Sequence, residues 1–274
     1  MPRARVGDIN IYYEASGRGE PLLLIMGLGG GSSLWWAQVE SLSPDYRVIA
    51  YDSRGVGRSD CPDVPYTMEM MTADAAGLLE TLGIDRAHVY GVSMGGMIAQ
   101  ELALRHPEMV KSLVLGATTC GGPQAVLPPA ESLEELFSIM SLPPAEIARV
   151  SASVSFSAGF VSSHPASVRQ WLRKGAESPP SAVGYRRQAE AVARFQTYDR
   201  LPQITAPTLV LAGTGDQLIP AENSRILASR IPGAELVLFE GAGHGYLWEA
   251  EEEANLAVRG FLRRHPGRGG RSHG

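Results

Sequence analysis

Ser93 lies in the run GVSMGG, which begins at Gly91, and its surroundings are those of a nucleophile. Residues 88–91 are predicted to form a strand and residues 95–105 a helix, so the serine falls in the turn between them. A serine at such a strand–turn–helix junction adopts a strained backbone, and larger side chains two residues away would collide in the turn. The glycine spacing therefore predicts that Ser93 is a catalytic nucleophile.

A serine hydroxyl is a poor nucleophile until a base takes its proton, so a histidine is expected later in the chain. His244 lies in the glycine-rich loop of residues 241–245, directly after a late predicted strand. The other five histidines lie at a strand start, at helix ends, in a helical segment or in the tail: His88, His106, His164, His265 and His273. Because glycines let the loop bring the ring over the sheet edge, we predict His244 as general base.

The histidine needs an acid that holds the imidazole in one tautomer and stabilises its protonated form. Asp216 lies in the run GTGD, directly after the strand predicted over residues 208–212. The carboxyl ends of strands are where open α/β sheets carry their working residues. Neither Asp199 nor Glu222 has this placement, so we predict that Asp216 orients the histidine.

Attack on a carbonyl group creates an oxyanion, which two backbone N–H groups are expected to stabilise. Met94, directly after the serine, is predicted to supply the first, and Leu28 the second. Leu28 lies in the run MGLGGG after the strand predicted over residues 21–25, and Gly27 of this run is predicted to contact the substrate. These glycines are not a phosphate cradle, because no Lys-Ser or Lys-Thr follows and the spacing is not a dinucleotide fingerprint.

The elements that must position these residues alternate as in a parallel sheet flanked by helices. Predicted strands cover residues 9–14, 21–25, 47–51, 88–91, 110–115, 208–212 and 236–239, and predicted helices cover residues 68–82, 95–105, 222–231 and 249–264. After residue 121 the alternation stops, and helical patterns with three proline pairs continue to about residue 200. The sequence thus predicts an α/β core over 1–121 and 201–264, a helical cap over 122–200 and a flexible tail over 265–274.

The composition limits the classes of function. With 44% hydrophobic and 19% charged residues, the 274-residue chain can bury a large core, and its net charge of −5 argues against a nucleic-acid partner. Cys61 and Cys120 are predicted to be free thiols, and no metal site is expected. Since no segment approaches the roughly 20 apolar residues of a membrane span, we expect no membrane partner and a cytoplasmic location.

Four runs together resemble the α/β-hydrolase superfamily: GVSMGG at Gly91, DSRGVGRS at Asp52, GTGD at Gly213 and GHG at Gly243. The resemblance extends to about residue 264, and within the superfamily the chain is similar to carboxylesterases, 3-oxoadipate enol-lactonases and acyl-homoserine-lactone-cleaving members. It implies an α/β-hydrolase fold with a mostly parallel eight-stranded sheet, a helical cap and no cofactor. The superfamily's chain order is serine, aspartate, histidine, as in the predicted triad.

The resemblance also narrows the reaction. Haloalkane dehalogenases and epoxide hydrolases of this superfamily use an aspartate where Ser93 stands, so their chemistry is not expected. The proline usual in the oxyanion loop of cofactor-free perhydrolases is absent from residues 28–30, which disfavours that reaction. Some relatives end the oxyanion strand with His-Gly, whereas this chain has Met26-Gly27. Asp52 and Arg54 are interpreted as a structural turn pair, and the acidic start of the last helix as solvated: Glu249, Glu251, Glu252 and Glu253.

We therefore expect a hydrolase of small-molecule carboxylic esters or lactones that works through an acyl-enzyme. Phe137, Met140 and Trp171 of the cap are predicted to contact the substrate, although packing inside the cap is the other interpretation of each. Four arginines could anchor a substrate carboxylate or simply lie in solvent: Arg169, Arg173, Arg186 and Arg187. An enol-lactonase, an acyl-homoserine lactone hydrolase and a hydrolase-like binding protein without turnover stay open as alternatives, and the sequence does not indicate the oligomeric state.

Overall fold

A computed structural model describes residues 2–139 and 144–266, without the side chains of residues 137, 138 and 144–148. Its centre is an eight-stranded sheet in the order β1-β2-β4-β3-β5-β6-β7-β8. The strands are β1 (Arg3–Val6), β2 (Ile9–Ser16), β3 (Glu20–Ile25), β4 (Tyr46–Tyr51), β5 (Ala87–Val92), β6 (Val110–Gly116), β7 (Thr208–Gly213) and β8 (Glu235–Phe239). β1 and β2 pair antiparallel at one edge, and β3 to β8 are parallel. The prediction of a mostly parallel eight-stranded α/β-hydrolase sheet is confirmed.

Helices cover both faces of the sheet. In the described part of the chain the helices are α1 (Trp36–Leu42), α2 (Met68–Thr81), α3 (Met94–Arg105), α4 (Ala130–Ser138), α5 (Pro144–Ser155), α6 (Ala158–Ser163), α7 (Pro165–Glu177), α8 (Ala182–Val192), α9 (Ala221–Arg230), α10 (Tyr246–Glu249) and α11 (Glu251–Arg264). Every residue of β5 and β7 is buried, as expected for parallel strands covered on both sides. Alternate residues belong to different cores: Leu23 packs with α2 and α3, while Leu22 and Leu24 pack with α1 and α11.

The structure differs from the predicted elements in two places. β1 was not predicted as a strand: it is only four residues long, and its alternation of exposed and buried residues covers two periods. The single helix predicted over residues 249–264 is two helices, because Ala250 between α10 and α11 has a non-helical backbone with φ −114° and ψ 47°. This break changes where Glu249 points, which matters for the site.

The helices α4 to α8 lie between β6 and β7, and we call this segment the cap. The chain leaves and re-enters the core at one point, where Gly121 forms a bridge with Gln196 and the Thr197 N–H group donates to the Cys120 carbonyl. α8 docks through Gly184 on Gly55, and these two glycines are so close that a Cβ on either would collide with the other's backbone. The cap is therefore joined to the loop that follows β4.

Candidate active site

Ser93 occupies a sharp turn between β5 and α3, with φ 58° and ψ −123°. The surrounding glycines are required by space: a Cβ on Gly91 would fall on the carbonyl of Gly95, and one on Gly95 would fall on the carbonyl of Ile25. A positive φ is costly for a residue with a side chain, and such strain persists only where neighbouring contacts enforce it. The sequence prediction of a tight serine turn agrees with this geometry.

Hydrogen bonds on both sides hold the strained residue. The Ser93 N–H group donates to the carbonyl of Gly116 on β6 at 2.9 Å, and the Thr118 hydroxyl donates to the Ser93 carbonyl at 2.7 Å. The N–H groups of Gly96 and Met97 in α3 donate to the same carbonyl. The backbone of Ser93 is therefore fixed by β6 and α3, while its side chain remains partly exposed.

Asp216 and His244 form a close pair in the loops that follow β7 and β8. His244 Nδ1 lies 2.8 Å from Asp216 Oδ2, and Asp216 Oδ1 accepts the N–H groups of Leu218 and Ile219 at 2.8 Å each. The Asp216 side chain is fully buried, and the His244 side chain is 13% exposed. Since an ionised carboxylate only accepts hydrogen bonds, the Nδ1 atom carries the proton and Nε2 is left as the basic nitrogen.

The three predicted catalytic residues follow the carboxyl ends of β5, β7 and β8, and β6 lies between the first two. Adjacent strands are about 4.8 Å apart, and β8 lies three strands from β5. The His244 loop, which follows β8, must therefore fold back over the sheet edge to approach Ser93. Tyr246 supports this course, because its hydroxyl lies 2.8 Å from that of Tyr90 on β5 and packs directly on Gly116. In residues 2–139 and 144–266 no hydrogen bond joins Ser93 to His244, and catalytic hydrogen bonds commonly tighten only when substrate binds.

The loop predicted to stabilise an oxyanion approaches Ser93 at Gly27. A Cβ at this position would lie 3.0 Å from Ser93 Cβ and 3.4 Å from Ser93 Oγ, so a larger residue would crowd the hydroxyl. The Gly30 N–H group donates to the Gly27 carbonyl at 3.0 Å, and Gly29 has φ +70°, which together describe a type II turn over residues 27–30. We call this the oxyanion turn. Among the described hydrogen bonds, the N–H groups of Leu28 and Met94 have no acceptor.

Asp52 and Arg54 are both buried structural residues, but the prediction that they pair with each other is wrong. Asp52 accepts the Ser32 N–H group at 2.7 Å and the Arg58 N–H group at 2.9 Å, which ties the region after the oxyanion turn to the loop after β4. Arg54 instead forms a two-pronged ion pair with Asp74 of α2, at 2.6 and 2.7 Å. Each side chain therefore binds a different element: Asp52 binds the loops after β3 and β4, and Arg54 binds α2.

The interpretation of the acidic run as a solvated helix start holds for Glu252 and Glu253, which are exposed, but is wrong for Glu249. The Glu249 carboxylate accepts the Ser157 and Gly243 N–H groups at 2.9 Å each and the Ser157 hydroxyl at 2.6 Å. Glu251 is exposed as well, although partial burial of its carboxyl group and the nearby charge of Glu40 raise its pKa. Glu249 is thus a functional candidate that sequence reasoning missed, and no local pattern could reveal a partner 92 residues away.

Of the cap residues predicted to contact substrate, Trp171 is the one whose side chain is described. Its ring packs edge-on against Phe156 at 5.1 Å and against Trp248 at 5.7 Å, so these contacts place it within an aromatic cluster of the cap and α10. The side chain of Phe137 and the whole of Met140 lie outside the described residues. The substrate-binding roles of these three residues stay predictions.

Two further features bear on ligand binding. A cavity of about 280 Å³ lies between α1, α7 and α11, lined in part by Trp36, Phe156 and Trp248, and its lining contains none of the predicted catalytic residues. Within the described part of the chain, no group of three or more His, Cys, Asp or Glu side chains could hold a metal ion. In that same part, no helix has both the length and the apolar character needed to cross a membrane.

Comparisons with known proteins agree on the family, whereas the similar proteins are named for several different activities. Residues 20–251 match the model of the alpha/beta hydrolase fold. The chain is 31% identical to the carbamate hydrolase RutD of Azorhizobium caulinodans, over 95% of this chain and 98% of that protein. It is 34% identical to the non-heme bromoperoxidase BpoC of Mycobacterium tuberculosis, over 93% and 98%. The enol-lactonase of Burkholderia xenovorans LB400 superposes with a TM-score of 0.85 at 29% identity, over 96% of this chain and 100% of that one.

Proposed function

The chain belongs to the α/β-hydrolase-fold family, and from this premise we propose that it hydrolyses carboxylic esters and lactones with a Ser93, His244 and Asp216 triad. The observation that carries the proposal is the 2.8 Å contact between His244 Nδ1 and a fully buried Asp216 carboxylate, at the same sheet edge as a strained serine. A buried carboxylate on the histidine's Nδ1 stabilises the imidazolium that forms when Nε2 takes a proton. The strained backbone of Ser93 supports the same proposal, because such strain is concentrated at active sites.

The proposed reaction proceeds in two halves. The Ser93 oxygen attacks the ester carbonyl carbon while its proton moves to His244 Nε2, and the resulting oxyanion is stabilised by the N–H groups of Leu28 and Met94. The tetrahedral intermediate collapses, the bond to the alcohol oxygen breaks, and His244 returns the proton to that oxygen. Water then attacks the acyl-enzyme with His244 again as base and releases the acid. In a lactone the alcohol stays tethered to the acyl group.

The choice of esters and lactones rests on the chemistry of the site and on a structural neighbour. A lactone is a cyclic ester, and the neighbour with a TM-score of 0.85 is an enol-lactonase. Recognition of a carboxylated lactone by the cap arginines finds little support. Arg169, Arg173 and Arg186 are exposed, and Arg187 is engaged by Asp63 at 2.9 Å and Glu190 at 3.0 Å.

Carbamate hydrolysis is the second candidate, favoured by the 31% identical relative named as a carbamate hydrolase. The same serine and oxyanion turn could attack a carbamate carbonyl, but nitrogen donation into that carbonyl makes it a poorer electrophile than an ester. The two candidates therefore share the triad and differ in the substrate that reacts faster.

Replacing the nucleophile tests the reaction. Ser93→Ala should reduce cleavage of p-nitrophenyl acetate to the rate of the buffer alone and should abolish covalent labelling by a fluorophosphonate probe, which needs an activated serine. Ser229→Ala, on the exposed surface of α9, is the matched control and should retain wild-type rates. Ester cleavage that survives in Ser93→Ala would overturn the proposal.

A substrate panel separates the candidates. Steady-state kcat/KM would be measured for a short p-nitrophenyl ester, a butyrolactone, an acyl-homoserine lactone, a carboxylated enol-lactone and a simple alkyl carbamate. The proposal expects esters and uncharged lactones to react faster than the carboxylated lactone and the carbamate. A wild-type protein that binds these compounds without turnover and resists the probe would instead be a binding protein.

A further inference from the structure

The cap contacts both halves of the proposed catalytic apparatus, the oxyanion turn and the His244 loop, through hydrogen bonds. On α8, Gly184, Tyr185 and Gln188 share one buried face, because Gln188 lies four residues after Gly184 and three after Tyr185. Tyr185 lies against Gly29, where a Cβ would come within 2.8 Å of the ring. This face of α8 therefore packs directly on the oxyanion turn.

Gln188 makes the polar contact to that turn. Its side-chain oxygen accepts the Gly29 N–H group at 2.9 Å, and its side-chain nitrogen donates to the Arg54 carbonyl at 2.8 Å. The side chain is fully buried, so losing either bond would leave a polar group without water. In a four-residue turn the peptide between the two central residues can flip, and the Gly29 N–H group belongs to that peptide. Gln188 thus holds the peptide next to the Leu28 N–H group in one orientation.

The cap holds the histidine loop in a matching way. On one side of His244, the Gly243 N–H group donates to Glu249, whose carboxylate also accepts the N–H and hydroxyl groups of Ser157 at the start of α6. On the other side, the Gly245 N–H group donates to the carbonyl of Ser155 at the end of α5. Both neighbours of His244 are therefore bound, directly or through Glu249, to the cap.

We propose that Gln188 and Glu249 are positioning residues through which the cap holds the oxyanion turn and the His244 loop in their working geometry. This inference rests on the proposed function. Neither side chain needs to touch substrate: Gln188 acts through the Leu28–Gly29 peptide, and Glu249 acts through the backbone of Gly243. The cap then determines how fast the triad works as well as which substrate enters.

The two contacts act on different steps, which gives each a separate readout. A misplaced oxyanion donor stabilises the transition state less well and leaves substrate binding almost unchanged. We therefore expect kcat to fall while KM stays close to its wild-type value. A misplaced histidine slows removal of the serine proton, which the rate of covalent labelling of Ser93 reports directly. A displacement of about 1 Å in a catalytic group can cost roughly 100-fold in rate.

The Gln188→Met variant keeps the length of the side chain and removes both hydrogen bonds. We expect kcat for p-nitrophenyl acetate to fall about 10- to 100-fold with KM within about threefold of wild type, because a full oxyanion donor is worth roughly 100- to 1000-fold. Affinity for a trifluoromethyl ketone, which forms an oxyanion on Ser93, should fall by a similar factor. Gln203→Met, at an exposed position before β7, is the matched control and should match wild type in all three quantities.

The Glu249→Ala variant tests the other contact. We expect the second-order rate constant for fluorophosphonate labelling of Ser93 to fall about tenfold, with circular dichroism spectra unchanged. Glu252→Ala, an exposed position on α11, is the control and should label at the wild-type rate. If one of the two test variants fails to fold, the other still decides the question, because the two contacts lie on different loops.

The outcomes separate this inference from the proposed function. Folded Gln188→Met and Glu249→Ala variants whose kcat, inhibitor affinity and labelling rate equal those of their controls would overturn the positioning role while leaving the hydrolase standing. Loss of thermal stability with unchanged rates would also overturn it, since it would assign both residues a purely structural role. A wild-type protein that neither cleaves esters nor takes the probe would overturn both proposals.

Discussion

The backbone of Ser93 is strained for a local reason. Its φ of 58° is unfavourable for a residue with a side chain, at a cost of about 1–3 kcal/mol. The glycines at 91 and 95 relieve the collisions that the turn would otherwise cause. The collision between a Cβ on Gly91 and the Gly95 carbonyl falls within five residues, so the sequence motif alone could predict this turn, whereas the requirement for glycine at 95 comes from Ile25 on β3.

Asp216 permits a sharp test at a single atom. Asp216→Asn keeps an oxygen for the Leu218 and Ile219 N–H groups but presents an amide N–H to His244 Nδ1, which forces the wrong tautomer. We expect kcat for p-nitrophenyl acetate to fall roughly 10³- to 10⁴-fold, the scale of such a change in serine hydrolases.

The control for this substitution is Asp63→Asn, an exposed acid whose ion pairs in the described part of the chain are with Arg186 and Arg187. It should leave kcat unchanged. An Asp216→Asn variant with kcat within threefold of wild type would show that another group orients the histidine.

At the scale of elements, the ion pair between Arg54 and Asp74 fastens α2 to the loop after β4. Both side chains are almost fully buried, at 2% and 6% exposed, and their contacts are 2.6 and 2.7 Å long. Removing one partner of a buried ion pair leaves an uncompensated charge away from water. The same loop carries Gly55, on which α8 of the cap docks, so this pair also supports the position of the cap.

We expect Asp74→Ala to lower the free energy of unfolding by about 3–5 kcal/mol, measured by urea denaturation. The control is Glu69→Ala, which lies on α2 like Asp74 and removes an exposed ion pair with Arg105 of α3. It should change the free energy of unfolding by no more than about 1 kcal/mol. Equal losses in the two variants would contradict the assignment of Arg54 and Asp74 as the structural pair.

For the whole molecule, the buried histidine of β5 links stability to pH. His88 is fully buried, with Nδ1 2.7 Å from the Ser112 hydroxyl and Nε2 3.2 Å from Glu20. Burial lowers the pKa of His88 below its ordinary value of 6.5, despite the opposing effect of Glu20, while Lys111 and His265 lower it further. The unfolded chain binds this proton more readily than the folded protein does. The contribution of neutral His88 to the free energy of unfolding is therefore fully present above pH 6.5 and is lost as the pH falls below it.

Replacing His88 should make the free energy of unfolding less dependent on pH. Between pH 7.5 and 5.5, the free energy of unfolding of His88→Gln should fall less steeply than that of wild type, by up to about 1.4 kcal/mol per pH unit. Urea denaturation at five pH values across this range would measure both slopes. Parallel curves for the two proteins would rule out His88 as the titrating group.

The alternation of strands and helices, the serine turn and the chain order of Ser93, Asp216 and His244 could be predicted from the sequence, because periodicity and turn geometry act over a few residues. The division into a core over 1–121 and 201–264 and a cap over 122–200 stays a prediction of the same kind.

The partners of buried polar groups, in contrast, depend on the packing of the folded chain. Gln188 finds Gly29 across 159 residues and Glu249 finds Ser157 across 92, and in the sequence each looks like an ordinary helix residue. Similarly, Asp52 and Arg54 are neighbours in the chain but bind different elements. A polar side chain that folding removes from water must find some partner, yet which one depends on how distant elements pack, and no short pattern encodes that.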